Sequence, residues 1–240
     1  MISNNRIILF PLIFLCAVAG LFSFPSATSH ALAKQKTLYL TLDADMNENM
    51  QQRLEKKTVK AWYDPELINY LKANKIPATF FVSGLFAQVY PDVIKDLNAT
   101  GRYTFENHSY DESGFTVHCY NLRTLNSDQE KIDQINKTQK ILKDLTGRIP
   151  VYFRFPGICH TAHDDQLVEK LGLVINNGNV VASDPFNFDT QKIIQNIYRQ
   201  AKDRGVIIMH VGGPNAPKSL EVLKQIIPHL QEQGYTIAHL

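Results

Sequence analysis

Hydrophobic and polar positions along residues 37–239 alternate between two periods, which predicts strands and helices in turn. Seven short runs rich in aliphatic, β-branched and aromatic residues predict strands at 37–42, 78–82, 103–106, 151–154, 174–176, 206–209 and 236–239. Helices are predicted for the longer segments between them, at 65–74, 91–97, 127–145, 165–171, 190–202 and 220–232. This alternation indicates βαβ units around a parallel sheet. We therefore predict an α/β fold, with seven strands in a closed or nearly closed β/α barrel.

Local signals fix several helix boundaries within this pattern. Asp64 can cap a helix whose first residue is Pro65, and Ser127 followed three residues later by Glu130 is typical of a capping box. Gly147 is predicted to end the long helix that begins there. The polar insertion at 46–60 is longer than a usual strand-to-helix connection, and it is interpreted either as a lip over a groove or as a solvated surface helix.

The N-terminal segment differs from the rest of the chain. Residues 7–24 contain no charged side chain, follow Arg6, and lead to the small residues Ala31 and Ala33. This arrangement is typical of an export signal, so we predict a signal peptide at 1–33 and one domain at 34–240. The alternative is an uncleaved anchor, since the apolar run is long enough to cross a bilayer. Cleavage would release the protein from the membrane into the periplasm or the medium.

Composition narrows the class of partner. The 240 residues include 44% hydrophobic residues, and 25 Lys and Arg stand against 23 Asp and Glu, for a formal net charge of +2. These values exclude a disordered polyelectrolyte and give no electrostatic reason to expect a nucleic-acid partner. We expect a monomer.

Of the three cysteines, only Cys119 and Cys159 lie outside the predicted signal peptide. In an oxidising compartment such a pair is more often bridged than free. We predict a Cys119–Cys159 disulfide, and the alternative is two small buried hydrophobic residues.

Ionisable residues stand where the predicted strands end, which is where a β/α barrel places its chemistry. Carboxylates, imidazoles and one guanidinium share this placement. In chain order they are Asp43, Asp45, His108, Asp111, Glu112, Arg154, Asp184 and His210. Each alone could be a cap or a salt-bridge partner, but together at separate strand ends they predict a polar site.

The residue types favour metal-assisted hydrolysis. A divalent cation could be bound by an oxygen of Asp45, a nitrogen of His108 and an oxygen of Asp111 or Glu112. Such a ligand set leaves coordination positions open for water.

Four further residues are candidates for transferring protons or for supporting the residues that do. Asp43 could accept a proton from water, and Arg154 would pair with Asp43 and keep it ionised. His210 could protonate the leaving group while Asp184 holds the imidazole.

Five motifs occur in order between residue 37 and the C-terminus: Thr41-Leu42-Asp43-Ala44-Asp45, His108-Ser109-Tyr110-Asp111-Glu112, Arg154-Phe155-Pro156-Gly157, 183–188 and Ile207-Ile208-Met209-His210. Their order and content resemble the T-F-D-D, H-S/T-x-x-H, R-x-P-Y/W, D-x-D-W and L-x-H motifs of the polysaccharide deacetylases, the NodB-homology group of carbohydrate esterase family four. The resemblance implies a distorted (β/α)7 barrel. It also implies a hydrolase of non-peptide carbon–nitrogen bonds that removes N-acetyl groups from amino sugars in peptidoglycan, chitin-like polymers or exopolysaccharides.

The resemblance also implies roles for matched residues: Asp43 as base, His108 as metal ligand, Arg154 as the residue that orients the base, and His210 as general acid. Substrate contacts are implied for Phe155, for a main-chain N–H near Gly157 that would hold an oxyanion, and for Ile208 against the acetyl methyl group. A Cys119–Cys159 bridge would join the loops that follow the second and third motifs.

Three positions depart from the family pattern. Ala44 stands at a metal-binding aspartate, Glu112 at the second histidine, and Asn187-Phe188 at the Asp-Trp ending of the fourth motif. In one interpretation Asp45 and Glu112 or Asp111 replace the missing ligands, which shifts preference from zinc towards harder ions such as magnesium or manganese. In the other the metal is lost and the protein only binds glycans. A third hypothesis is deacylation of a non-carbohydrate amide. We expect a working deacetylase, because the base, the arginine and the first and last histidines remain.

Overall fold

A computed structural model describes residues 35–240, which form eight β-strands and eight α-helices. The strands are β1 (Lys36–Ala44), β2 (Ala78–Val82), β3 (Tyr103–Asn107), β4 (Tyr152–Phe153), β5 (Val174–Ile175), β6 (Val180–Val181), β7 (Gly205–His210) and β8 (Tyr235–Ala238). The helices are α1 (Glu48–Glu55), α2 (Pro65–Ala73), α3 (Gly84–Val89), α4 (Pro91–Asn98), α5 (Asp128–Thr146), α6 (Ala162–Lys170), α7 (Thr190–Gln200) and α8 (Ser219–Glu232). The predicted signal peptide lies outside the described residues.

The strands form one parallel sheet that curls into a half-barrel. Its order is β5-β4-β3-β2-β1-β7-β6, and β8 pairs with the first half of β1. The predicted α/β barrel of the distorted kind is therefore confirmed. The sheet has one strand more than predicted, because β6 comprises only Val180 and Val181, which pair with Ile207 and Ile208. Two residues are too few to give a periodic signal.

Successive residues of β1 face opposite sides of the sheet. Leu38, Leu40, Leu42 and Ala44 are buried in the large core between the sheet and its helices. Asp43 faces the other side, towards the concave interior of the half-barrel, where its carboxylate contacts Arg154. The strand thus separates the residues that stabilise the fold from the residue that reaches the site.

A second, smaller core supports the long segment between β3 and α5. Phe115 from this segment packs edge-on against Phe153 and Phe155, with ring centroids 5.7 and 5.1 Å apart. The predicted disulfide is present in the structure and joins Cys119 to Cys159, with Cα atoms 5.9 Å apart. Together these contacts fix the loops after β3 and β4 against each other.

The helix boundaries follow the local signals closely. The Asp64 side chain accepts the Glu66 N–H at the start of α2, and Gly147 ends α5 in a left-handed conformation. The insertion at 46–60 contains a surface helix, α1, capped by the side chain of Asn47. Along residues 35–240, none of the helices is both long enough and apolar enough to span a bilayer.

Candidate active site

The carboxyl ends of the strands surround a cleft of about 330 Å³. The register of the sheet sets Asp43 on β1 directly beside His210 on β7. Most of the residues predicted for the site line this cleft: Asp43, Asp45, His108, Glu112, Phe155, Gly157, Asp184, Ile208 and His210. Two do not line it: Arg154 contacts Asp43 from beneath the cleft, and Asp111 pairs with Arg123 instead.

Asp43 and Arg154 form a buried ion pair at the base of the cleft. Arg154 Nη1 lies 2.5 Å from Asp43 Oδ1, and Arg154 Nε donates to the carbonyl of Asn176 at 3.0 Å. The guanidinium also lies over the ring of Phe81, 3.9 Å from its centroid. Burial lowers the pKa of Arg154, and the Asp43 carboxylate opposes that effect. The paired guanidinium fixes the orientation of the Asp43 carboxylate.

Asp45, His108 and Glu112 form a three-residue cluster suited to a metal ion. One ligand atom from each lies within 4.8 Å of the others. His108 Nε2 is 3.5 Å from Asp45 Oδ1 and 3.5 Å from Glu112 Oε1. His108 Nδ1 donates to the carbonyl of Arg154 at 2.8 Å, which directs the second ring nitrogen towards the two carboxylates. The imidazole is therefore oriented as a ligand.

Two carboxylate oxygens of the cluster have no hydrogen-bond donor within the described part of the chain, although the carboxylates outweigh burial and raise the pKa of His108 to about 9. Asp45 Oδ1 and Glu112 Oε2 are buried, and no group among residues 35–240 donates a hydrogen bond to either atom. Burial, and then the charge of Glu112, raises the pKa of Asp45 to about 7. Two buried oxygens without donors and an oriented imidazole nitrogen are the donor set of a divalent cation. The residues present therefore fit a metal ion.

The alternation of β1 explains why Asp45 belongs to the cluster although Ala44 stands at the usual ligand position. Ala44 is 1% exposed and faces the helix-covered core, whereas Asp43 and Asp45 lie on the same side of the chain. The second carboxylate oxygen of Asp45 accepts a hydrogen bond from Asn215 Nδ2 at 3.1 Å. A carboxylate at position 45 therefore reaches the cleft without disturbing the core.

The loop after β3 sets the position of Glu112. Gln134 Oε1, on α5, accepts the backbone N–H groups of Tyr110 at 2.9 Å and Asp111 at 3.2 Å. Glu112 has a left-handed backbone with φ of 59°, an uncommon conformation that turns its side chain inward. Asp111 instead pairs with Arg123 at 3.0 Å, so of the two predicted alternatives the structure brings only Glu112 to the cluster.

His210 and Asp184 form a second pair, next to the metal cluster, since His210 Nε2 lies 3.4 Å from Asp45 Oδ2. His210 Nδ1 donates to Asp184 Oδ1 at 2.9 Å, while Asp184 Oδ2 accepts from the His210 backbone at 2.9 Å and from Ser219 Oγ at 2.6 Å. Burial disfavours the imidazolium, but the charges of Asp184 and Asp45 outweigh it and raise the pKa of His210 to about 10. Burial likewise opposes ionisation of Asp184, yet His210 and Ser219 hold its pKa below the usual range. The pair is suited to hold a proton on His210.

Sequence reasoning missed four residues that support this site. Phe81 and Asn176 hold Arg154, Asn215 holds Asp45, and Ser219 holds Asp184. None of them lies in a motif, and each contacts the site through the fold and not through chain proximity. A hydrophobic residue in a strand, and polar residues in connections or at the start of a helix, carry no local signal of such contacts.

Comparison with known proteins identifies similar sequences and similar folds. The family model described as polysaccharide deacetylase matches residues 31–175. A peptidoglycan-N-acetylglucosamine deacetylase of Bacillus cereus is 27% identical over 251 residues, which cover 93% of this chain and 88% of that protein.

Two solved structures resemble the fold. A peptidoglycan N-acetylglucosamine deacetylase matches with a TM-score of 0.70 at 23% identity, covering 86% of this chain and 87% of that chain. A CE4 family pseudoenzyme from Bacillus anthracis matches with a TM-score of 0.66 at 19% identity, covering 86% of this chain and 64% of that chain. This chain thus spans less than two thirds of the pseudoenzyme's length. At these identities the two likenesses establish the fold alone.

Proposed function

The chain belongs to the polysaccharide deacetylase family, and on that premise we propose that it is a metal-dependent hydrolase that removes N-acetyl groups from amino-sugar polymers or oligosaccharides. One observation carries the proposal. A carboxylate paired with a buried arginine, a three-residue metal cluster and a histidine paired with a carboxylate all converge on one cleft. We further propose that residues 1–33 are a cleaved signal peptide, that 34–240 is the catalytic domain, and that the enzyme acts in the periplasm or outside the cell.

Asp45, His108 and Glu112 would hold the cation. When bound, a divalent cation supplies Lewis-acid chemistry, which polarises a carbonyl group and acidifies water. Two carboxylates with one imidazole make a harder ligand set than one carboxylate with two imidazoles. The proposal therefore includes magnesium and manganese beside zinc.

Asp43 acts as the base that removes a proton from the attacking water. Its carboxylate lines the cleft, and the hydrogen bond from Arg154 holds it in a fixed orientation there. Because Arg154 also accepts the His108 Nδ1–H through its carbonyl, the base and one metal ligand are positioned by the same residue.

His210 acts as the acid that protonates the departing amine. Asp184 stabilises the imidazolium and fixes its orientation, as the carboxylate partner of a catalytic histidine does. Around the acetamide, we assign contacts to Phe155, to the main chain at Gly157 and to Ile208, which all line the same cleft. A main-chain N–H there would stabilise the oxyanion of the tetrahedral intermediate.

The proposal is tested by acetate release from N-acetylated chito-oligosaccharides and peptidoglycan fragments, with wild-type protein beside Asp43→Asn. We expect acetate from at least one glycan with the wild type and a loss of at least about 100-fold in kcat with Asp43→Asn, because the amide cannot accept the proton. Glycan binding without acetate from any substrate would instead support an inactive carbohydrate-binding protein, for which Ala44 is the motivating observation. Activity on small amides alone would point to a non-carbohydrate substrate.

A further inference from the structure

Exposed apolar side chains gather at the rim of the catalytic cleft. Among residues 35–240, four of the large hydrophobic side chains that remain exposed also line the cleft: Tyr120, Ile158, Val181 and Phe186. Tyr120 is 60% exposed and Phe186 is 65% exposed. Single exposed apolar residues are ordinary on protein surfaces, but a contiguous group beside a polar site marks a binding surface.

Tyr120 and Phe186 come from different loops and stack on each other. Their ring centroids are 5.0 Å apart and their planes differ by 24°. This geometry makes a two-ring aromatic surface next to the polar residues that hold the metal cluster and the acid.

The loops that carry these rings are fixed to the site. Tyr120 follows Cys119, which is bridged to Cys159, and its ring packs on Gly157 so closely that a Cβ there would come within 2.9 Å of Tyr120 Cδ2. Phe186 lies two residues after Asp184, and its backbone N–H donates to the carbonyl of Ser183 at 3.2 Å. The aromatic pair is therefore held in register with the catalytic residues.

We propose that the Tyr120–Phe186 pair, with Ile158 and Val181 beside it, binds an uncharged pyranose ring adjacent to the sugar whose acetamide is hydrolysed. This inference rests on the proposed deacetylase function and names the substrate class of that same site. Under this proposal Tyr120 and Phe186 determine substrate specificity, although neither is predicted to be a catalytic residue or a metal ligand.

The chemistry of the surface selects this occupant. One face of a pyranose presents C–H groups, which pack against the electron-rich face of an aromatic ring. The surface continues directly into the cleft, so a ring bound there belongs to the same chain as the reacting sugar.

The charge around the cleft argues for an uncharged ring. Among the described residues that line it, none is a lysine or an arginine. Arg154 lies beneath the cleft, where its guanidinium is paired with Asp43. A sugar with a free carboxylate, such as N-acetylmuramic acid without a stem peptide, would place its charge against the apolar side chains of the rim with no lysine or arginine among the described lining residues, which is unfavourable. Homopolymers of N-acetylglucosamine therefore fit better than strands in which the muramic acid carboxylate is free.

Phe188 provides a matched control. It is 68% exposed and lies two residues beyond Phe186, but it is not among the residues that line the cleft. It also stands where the fourth motif of the family ends in tryptophan, so motif matching alone would have selected Phe188 for this contact.

The experiment measures binding and turnover separately. Affinity for tetra-N-acetylchitotetraose, and for a tetrasaccharide of alternating N-acetylglucosamine and N-acetylmuramic acid, is measured by calorimetry in an Asp43→Asn background. Tyr120→Ala, Phe186→Ala and Phe188→Ala are compared in that background, and acetate release is measured with Asp43 intact. We expect Tyr120→Ala and Phe186→Ala each to weaken binding of the chitotetraose about tenfold, with a matching rise in KM, and Phe188→Ala to leave both unchanged. The alternating tetrasaccharide should bind more weakly than the chitotetraose.

Unchanged affinity in both aromatic variants, an equal loss in Phe188→Ala, or stronger binding of the muramic acid tetrasaccharide would overturn the inference. Thermal denaturation of each variant separates a binding defect from misfolding. If wild-type protein releases no acetate while the affinity pattern is as expected, the proposed function fails and the sugar-binding surface stands. If acetate is released and the pattern is absent, the surface fails and the function stands.

Discussion

Arg154 contacts three separate parts of the site, although its motif indicates a role at Asp43 alone. Its guanidinium pairs with Asp43, its Nε donates to Asn176, and its carbonyl accepts the proton on His108 Nδ1. The residue is fully buried, and a buried cation is costly unless it is paired and hydrogen-bonded. Asp43, the proposed proton acceptor, and His108 of the proposed metal cluster therefore share one support, and a change at Arg154 would disturb both.

The acid side of the site depends on Asp184. We expect Asp184→Asn to lower kcat for acetate release by at least about 100-fold, because an amide cannot stabilise the charged imidazolium of His210. Steady-state kinetics on a chito-oligosaccharide measure the effect, and KM should change little. Ser219→Ala is the matched control, since Ser219 donates to the same carboxylate without contacting His210. A wild-type kcat in Asp184→Asn, or an equal loss in Ser219→Ala, would remove Asp184 from the proposed mechanism.

At the level of single residues, the sequence predicted the acidic and histidine side chains that line the cleft. Motif spacing indicated Asp43, His108, Asp184 and His210, and the structure places all four around one cavity. The sequence left Asp111 and Glu112 as alternatives, because spacing in a loop does not fix where a side chain points. Hydrogen bonds made by Gln134 and Arg123 to that loop separate the two, and those contacts come from residues far along the chain.

Among the elements, α5 contributes most to the shape of the site. The sequence predicted this helix, and its Ile135 and Leu142 are fully buried. Gln134 and Thr138 are also buried, and they hold the loop after β3 through hydrogen bonds to Tyr110 and to the carbonyl of Ser109. A pattern of hydrophobic positions does not indicate which polar residues of a helix are buried or what they bind. The helix was therefore predictable, and its effect on Glu112 was not.

A buried pair joins α5 to α6 and gives a test by pH. Asp164 accepts from Lys131 Nζ at 2.6 Å and from the Thr161 backbone at 2.8 Å. Burial opposes ionisation, but these hydrogen bonds hold the pKa of Asp164 below its usual value. A carboxyl group with a lowered pKa stabilises the fold fully above the unfolded pKa of about 4, and that stabilisation is lost as pH falls through the folded pKa.

We therefore expect Asp164→Asn to reduce the free energy of unfolding by about 2 kcal/mol at pH 7, since it removes the charge from a partly buried, hydrogen-bonded ion pair. The difference from wild type should shrink as pH falls below about 4. Urea denaturation across this pH range measures it. The exposed Lys140–Asp144 pair supplies the control, and Asp144→Asn should cost less than about 0.5 kcal/mol. A difference that persists undiminished at low pH would show that the lost stability is not electrostatic.

In the whole molecule, the sheet brings together residues that are far apart in the sequence. Asp43 and Arg154 are 111 positions apart, and they meet because β1 and β4 end at the same rim. The alternation of strands and helices was enough to predict this rim, although the two-residue β6 and the six-residue α3 gave too little periodicity to be found. A net charge near zero agrees with a partner that need not be attracted by charge, as an uncharged sugar polymer is.

The central claim is that Asp45, His108 and Glu112 form a working metal centre although Ala44 stands at a usual ligand position. Acetate release by chelator-treated protein, titrated with zinc, manganese or magnesium, tests it most directly. We expect activity to be lost after chelation and to return along a saturation curve for one cation per chain. Full activity in chelated protein that contains no metal by elemental analysis, or no recovery with any of these ions, would contradict the claim.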